Sequence, residues 1–213
     1  MKQHKRKIAT DYYEKVFWNN KKLVTGVDEA GRGALAGPVA AAAVILKPET
    51  LQNIGITDSK KISAKKREKF FDIIIRECIS FSFSFIESDI IDEINVLQAT
   101  VKAMHNSIRN LSQKPGHLLI DGNYFVNIGL PYTTIVDGDE KSISIASASI
   151  IAKVSRDRWM TEVADKKYPE YDFARNKGYG TKKHIEAIKK YGVTPIHRLT
   201  FLKNYLASDL TLF

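Results

Sequence analysis

Residues 39–46, Val-Ala-Ala-Ala-Ala-Val-Ile-Leu, are apolar at every position. The run is strand-sized, and without polar alternation it has to be covered on both faces, which predicts a sheet at the centre of the fold. A glycine-rich turn separates it from a second strand over residues 23–28. The chain has 213 residues, 44% of them hydrophobic, enough to bury a sizeable core in a single domain. No apolar stretch reaches the roughly 18 residues that a membrane span requires, so a soluble protein with no membrane partner is expected.

Periodicity supplies further elements. Ser63 is a candidate N-cap for a helix through about residue 77. Residues 79–87 alternate Phe81, Phe83 and Phe85 with serines, a period-two strand whose phenylalanine face is expected to meet the core. Ser88 opens a helical stretch with Ile91, Ile94, Leu97, Val101, Met104, Ile108 and Leu111 on one stripe, and the stripe, Met104 included, is read as core. After Lys114-Pro115-Gly116 come two short strands, residues 117–121 and 132–136, each ending in a polar turn. Residues 142–167 are helical in pattern, and the small Ala146 and Ala148 allow close packing on a sheet. Thr181 can cap a short basic helix to Tyr191, and Pro195 precedes a last segment with Leu199, Leu202 and Leu206. The mixture predicts one α/β domain over residues 21–213, helical from about residue 168, after a basic extension of residues 1–20.

The formal net charge of +9 points to a polyanionic partner such as nucleic acid. The cations cluster: residues 60–69 hold six basic residues against Glu68, and residues 175–203 hold eight against Glu186. Either run could line a phosphate backbone or form a solvated helix face. The single cysteine, Cys78, lies among isoleucines and is read as a small buried hydrophobe. With no intrachain disulfide possible, and with no apolar segment or cleavage site after the basic start, a cytoplasmic protein is expected.

Three predicted strands end in acids: Asp28-Glu29, Asp121, and Asp137 with Asp139-Glu140. If those strands pair, like charges meet at one rim of the sheet, which is costly unless a cation neutralises them. Oxygen donors favour Mg²⁺ or Mn²⁺, and no Cys/His set has zinc spacing. An acidic centre in a basic protein has the composition required for metal-assisted phosphodiester hydrolysis, in which two ions about 3.5–4 Å apart clamp the attacking water and the leaving oxygen. Because successive strand residues point to opposite faces, Asp28 and Glu29 can serve one site only if the strand ends there, with Gly31 and Gly33 easing the exit. A dinucleotide fingerprint is excluded, since Gly31-x-Gly33-x-x-x-Gly37 is one residue too long and the preceding acids repel pyrophosphate.

These residues resemble the ribonuclease HII family over nearly the whole chain. The likeness rests on seven ordered motifs: Gly26-Val-Asp-Glu-Ala-Gly-Arg-Gly33; Asp58-Ser-Lys-Lys61; Leu119-Ile-Asp-Gly-Asn123; Gly138-Asp139; Ala146-Ser-Ala-Ser-Ile-Ile-Ala-Lys-Val-Ser-Arg-Asp157; Lys177-Gly-Tyr-Gly-Thr181 with His184; and His197-Arg198 with Phe201. Ala34 departs from it, standing where the family commonly has proline. The resemblance implies a ribonuclease H-like fold, a central mixed sheet flanked by helices with a helical C-terminal part. It implies that Asp28, Glu29, Asp121 and Asp139 hold two Mg²⁺ or Mn²⁺ ions, with Asp137 and Glu140 left as turn residues and Asp157 as an ion-pair member. The implied substrates are RNA–DNA hybrids and duplex DNA with embedded ribonucleotides, cut on the 5′ side of a ribonucleotide to leave 3′-hydroxyl and 5′-phosphate. Gly31, Arg32 and Gly33 are implied to grip the ribose and its phosphates, Tyr179 to pack on the sugar at the RNA-to-DNA junction, and Lys60 to contact a phosphate. A monomer is expected, with a replication clamp as a candidate partner.

Two other readings compete. A metal-free ribonuclease could use His184 and His197 as base and acid, but it leaves the carboxylates unexplained. A nucleic-acid binder without catalysis accounts for the basic charge, yet gains nothing from four acids facing phosphates.

Overall fold

The computed structural model describes residues 9–48, 56 and 62–206. Lys60 and the rest of the Asp58–Lys61 motif, the first eight residues and the last seven lie outside them. The elements run α1 (Tyr12–Trp18), β1 (Val24–Ala30), β2 (Val39–Ile45), α2 (Ala64–Glu77), β3 (Ser80–Ile86), α3 (Ser88–Arg109), β4 (His117–Asp121), β5 (Tyr132–Ile135), α4 (Ile143–Trp159), α5 (Asp165–Lys167), α6 (Phe173–Asn176), α7 (Lys182–Tyr191) and α8 (Leu199–Leu206). The five strands form one mixed sheet in the order β3-β2-β1-β4-β5. β2 is antiparallel to both β1 and β3, and β4 is parallel to both β1 and β5.

Every residue of β2 is buried, as its apolar run requires. Ala42 and Val44 pack on one face against Phe70 and Ile74 of α2 and Ala146 and Ile150 of α4. Ala41 and Ala43 pack on the other against Ile91, Ala103 and Met104 of α3. Alanines on both faces let the helices approach closely, and Gly26 of β1 extends that contact: a Cβ there would stand 2.0 Å from the Ser144 carbonyl carbon of α4. Truncating a large side chain in these layers, Ile74 for example, costs about 2–5 kcal/mol. A third cluster, with Leu35, Met160, Phe173, Ile188 and Leu202, joins the helical C-terminal part to the β1–β2 turn.

Local signals set the helix starts. Ser63, Ser142 and Thr181 each accept a hydrogen bond from the backbone N–H three residues on, opening α2, α4 and α7. α1 packs on the sheet although residues 1–20 read as an extension: Phe17 stacks on His117 of β4 at 3.8 Å, and buried Glu14 accepts from the Ser142 hydroxyl and the Ser144 amide.

The structure corrects four expectations. β1 does not end at Asp28; its ladder with β2 continues through Glu29↔Ala41 and Ala30↔Ala40. The phenylalanine face of β3 is the more exposed one, with Phe83 40% accessible, because α3 lies on the serine face and buries Ser80 and Ser82. α3 is kinked at Asn95, whose φ of 66° breaks the helix while its side chain accepts from the amides of Leu97 and Gln98 and restarts it. That break turns Leu97 out of the apolar stripe to 38% exposure. The helix predicted over residues 142–167 contains a π-helical turn, Met160–Ala164, between α4 and α5.

Candidate active site

The β1–β4 ladder ends at Val27↔Ile120, so the two strands diverge just before Asp28 and Asp121. The two carboxylates therefore leave the sheet at the same level, one from each side of the gap. β5 pairs with β4 as far as Asp121↔Ile135, and the chain then turns through Asp137, at φ 53°, into a 3-10 turn, Gly138–Glu140, that carries the buried Asp139 to the same rim. The Gly138 amide donates to Asp121 Oδ1 at 2.7 Å and joins the two acidic segments.

Asp28 is only 4% exposed. Burial holds its pKa well above the usual carboxylate range, and the charges of Glu29, Asp121 and Asp139 act in the same direction against a hydrogen bond with Ser149 of α4. Glu29, on the opposite face of β1, pairs with Arg32 Nη1 at 3.1 Å, while its own amide donates to Asp28 Oδ1 at 2.7 Å. The continuing strand thus brings both acids to the rim from opposite faces. Among the described residues no three acidic, histidine or cysteine side chains stand together as a ready metal cage. Asp28 accepts from the Glu29 amide, Glu29 pairs with Arg32, and Asp121 accepts from the Gly138 amide. The donors nevertheless fit Mg²⁺ or Mn²⁺: they are all carboxylate oxygens, and three of them raise the pKa of the fourth, a mismatch that divalent charge removes.

Two depressions meet at Glu29 and Arg32. A cavity of about 560 Å³ is lined by those residues with Gly31, Gly33, Arg67, Lys153 and Tyr179, and a smaller one of about 90 Å³ adds Asp121, Gly122, Asn123 and Tyr124. The Gly31 to Gly33 turn therefore adjoins both the acidic rim and Tyr179. Tyr179 is half-buried, its ring 5.6 Å from Lys153 Nζ and 5.5 Å from the Arg156 guanidinium carbon. Asp157 pairs with Lys153 at 2.6 Å and with Arg67 at 3.8 Å, the ion-pair role expected of it.

Sequence reasoning did not single out Arg67, Lys153 or Ser149, although the motif of residues 146–157 contains Lys153 and Ser149. It also counted Arg198 in a basic run that could line a phosphate backbone or form a solvated helix face, and that residue does neither: Arg198 is fully buried, its guanidinium donating to the carbonyls of Arg32 and Gly37. His184 and His197 are buried as a pair, Nε2 to Nε2 3.1 Å, and line neither depression. As base and acid they would have to reach a substrate 2′-hydroxyl, and neither depression opens onto them.

A mixed sheet with an acidic rim, opening onto a cationic depression, defines the class of α/β enzymes that act on nucleic acid. The ribonuclease HII family model matches residues 25–204, and the chain belongs to that family. It is 51% identical over 194 residues to the ribonuclease HII of Caldicellulosiruptor bescii, covering 91% of this chain and 93% of that one. Its fold matches the crystal structure of the ribonuclease H2 from Pyrococcus horikoshii OT3 with a TM-score of 0.73 at 26% identity, covering 89% and 99% of the two chains. It also matches a chain of the PCNA:RNase HII complex from Archaeoglobus fulgidus, with a TM-score of 0.70 at 25% identity over 83% and 94%. The fold extends to Bst-RNase HIII in complex with Mn²⁺, with a TM-score of 0.65 at 14% identity over 90% and 70%. Membership makes this chain a hydrolytic endonuclease of the ribonuclease H type. Among the described residues no helix is long and apolar enough to cross a membrane.

Proposed function

We propose that the enzyme hydrolyses the phosphodiester on the 5′ side of a ribonucleotide, both in RNA–DNA hybrids and in duplex DNA with embedded ribonucleotides, leaving 3′-hydroxyl and 5′-phosphate. Asp28, Glu29, Asp121 and Asp139 hold two divalent ions, Mg²⁺ or Mn²⁺, which when bound supply activation of water and charge neutralisation at the scissile phosphate. The observation that carries this reading is the shared level of Asp28 and Asp121 where β1 and β4 diverge, with Asp28 buried among the other acids.

The remaining residues bind and orient. The Gly31 to Gly33 turn lies between the acids and Tyr179, so a ribose held there has its 5′ phosphate at the rim and its sugar face on the ring. Its 2′-hydroxyl is the group that distinguishes RNA from DNA. Gly31, at φ +89°, turns the chain sharply enough to bring backbone amides to a ligand. Lys60 contributes a phosphate contact, and Arg67 and Lys153 add positive charge to the depression. The likeness to a chain of the PCNA:RNase HII complex from Archaeoglobus fulgidus supports a sliding clamp as partner.

The test is a duplex with one embedded ribonucleotide, incubated with Mg²⁺, with Mn²⁺ and with chelator. Nicking in either metal with a 3′-hydroxyl product is expected. Cleavage that persists in chelator, or a cyclic phosphate end, overturns the reading.

A further inference from the structure

One buried cation touches both of the surfaces that would read the substrate. Arg156, in the last turns of α4, has no accessible surface. Its Nε donates to the Pro38 carbonyl at 2.8 Å and its Nη2 to the Ala36 carbonyl at 3.1 Å, both in the segment that leads from the Gly31 to Gly33 turn into β2. Its Nη1 donates to the Lys177 carbonyl at 2.9 Å, two residues before Tyr179, and the guanidinium stands over the Tyr179 ring. The same side chain fills the space beside Gly31, where a Cβ would stand 1.9 Å from Arg156 Nε.

The two segments also bond directly, the amides of Leu35 and Ala36 donating to the Gly178 carbonyl at 2.8 and 3.2 Å. Those bonds fix the backbones but not the Tyr179 ring, whose face meets Arg156 and Lys153. Arg198 provides an internal contrast. Its three hydrogen bonds go to Arg32 and Gly37 and none to the Tyr179 segment, with which it interacts only through charge.

We propose that Arg156 is a positioning residue that sets the spacing between the Gly31 to Gly33 turn and the Tyr179 ring, so that both engage one ribonucleotide and its junction as a single rigid jaw. This rests on the proposed function and adds to it the residue that makes the two surfaces one reader. The task requires arginine, because only a planar fork donates in three directions while presenting a flat face to a ring. Lysine keeps the charge and loses the geometry. A displacement of about 1 Å at a substrate-orienting group is enough to cost up to about a hundredfold in rate.

The test compares kcat/KM on a duplex with one embedded ribonucleotide to kcat/KM on a uniform RNA–DNA hybrid, for the wild type, Arg156→Lys, Tyr179→Ala and the double variant. Arg156→Lys is expected to lower this ratio roughly tenfold, through kcat on the single-ribonucleotide substrate, with affinity for all-DNA duplex within about twofold of wild type. In the Tyr179→Ala background it should lower the ratio no further, since the ring through which it acts is gone. Equal losses on both substrates, or independent multiplication of the two effects, overturns the inference in favour of a structural role. Should Arg156→Lys lack a cooperative melting transition, Lys177→Met replaces it. Lys177 Nζ donates to Thr161 Oγ1 and to the Ala174 carbonyl, and so steadies the carbonyl on which Arg156 closes. That variant should shift the ratio in the same direction by roughly twofold, by the same positional argument, and an unchanged ratio counts against the proposal. A wild-type enzyme that leaves the ribonucleotide duplex intact overturns both readings, whereas an active wild type whose ratio survives Arg156→Lys overturns this one alone.

Discussion

The acidic rim and the histidine pair behind Tyr179 are both buried polar centres, yet they are built on opposite principles. In the pair every ring nitrogen has a matched partner. The Thr194 amide donates to His197 Nδ1 at 2.9 Å, so the His197 proton sits on Nε2 and is donated to His184 Nε2; His184 Nδ1 then donates to the Tyr179 carbonyl at 2.9 Å. The chain closes only with both rings neutral, and burial together with the neighbouring ring pushes His197 down to about 4. At the rim, Asp28 is buried among carboxylates that all act against its ionisation. A matched network gives rigidity, here to the Tyr179 segment. A mismatched one is destabilising in isolation and awaits a charge from outside, which is the arrangement expected where function rather than stability has selected the residues.

The contrast is broken most directly by Asp121→Asn. Removing one rim carboxylate should lower cleavage of a ribonucleotide-containing duplex by at least about a thousandfold, on the order of 4 kcal/mol. Duplex affinity, measured by fluorescence anisotropy, should stay within about threefold, because the basic residues remain. Full activity in this variant removes Asp121 from the metal set.

The histidine pair governs a second effect, in stability. Its folded pKa values lie below the unfolded 6.5, so its contribution is complete above about pH 6.5 and is lost as pH falls towards 4. For His197 the loss amounts to up to about 3 kcal/mol at 1.36 kcal/mol per unit. Urea unfolding between pH 7.5 and 4.5 should show a steeper decline for wild type than for His197→Gln, whose amide does not titrate. Parallel declines mean that the pair is not neutral in the native state. Smaller again is Tyr179→Ala, expected to lower the preference for single ribonucleotides over uniform hybrid roughly tenfold with little change in affinity for all-DNA duplex. Equal losses on every duplex make Tyr179 a general contact and not a reader.

The same contrast explains what was legible in the sequence. The β2 run and the caps Ser63 and Thr181 act through local chemistry, and the strand and helices they predict are present. That acids follow the apolar runs of β1 and β4 was legible, and the parallel pairing of those strands puts Asp28 and Asp121 at one level although β1 continues past Asp28. What depends on docking was not. The phenylalanines of β3 carry no mark of which face α3 will cover, and Asn95 breaks its helix by adopting a backbone conformation that side-chain periodicity does not report. Arg156 and Arg198 look like members of charged runs, since nothing local distinguishes a guanidinium that meets solvent from one whose donors turn onto carbonyls more than a hundred residues away. His184 and His197 had the opposite fate, resembling a catalytic pair and forming a neutral strut.

On stability, Asp28→Asn gives the smallest effect and the sharpest sign. A carboxyl whose folded pKa is raised takes up a proton on folding, so native stability falls as pH rises from the ordinary carboxylate range through the raised value. This slope is opposite to that of the histidines. Replacing the acid by a neutral isostere should therefore stabilise the metal-free protein by about 1 kcal/mol near pH 8 and by less at pH 5, while abolishing cleavage. Taking the difference between variant and wild type at each pH cancels the histidine contribution, which is common to both. Adding Mn²⁺ should reverse the ranking, because only the wild type gains the binding free energy of the ion. A variant less stable than wild type at pH 8 without metal means that the carboxylate is held by compensating bonds, and the acidic rim is then matched in the same sense as the histidine pair.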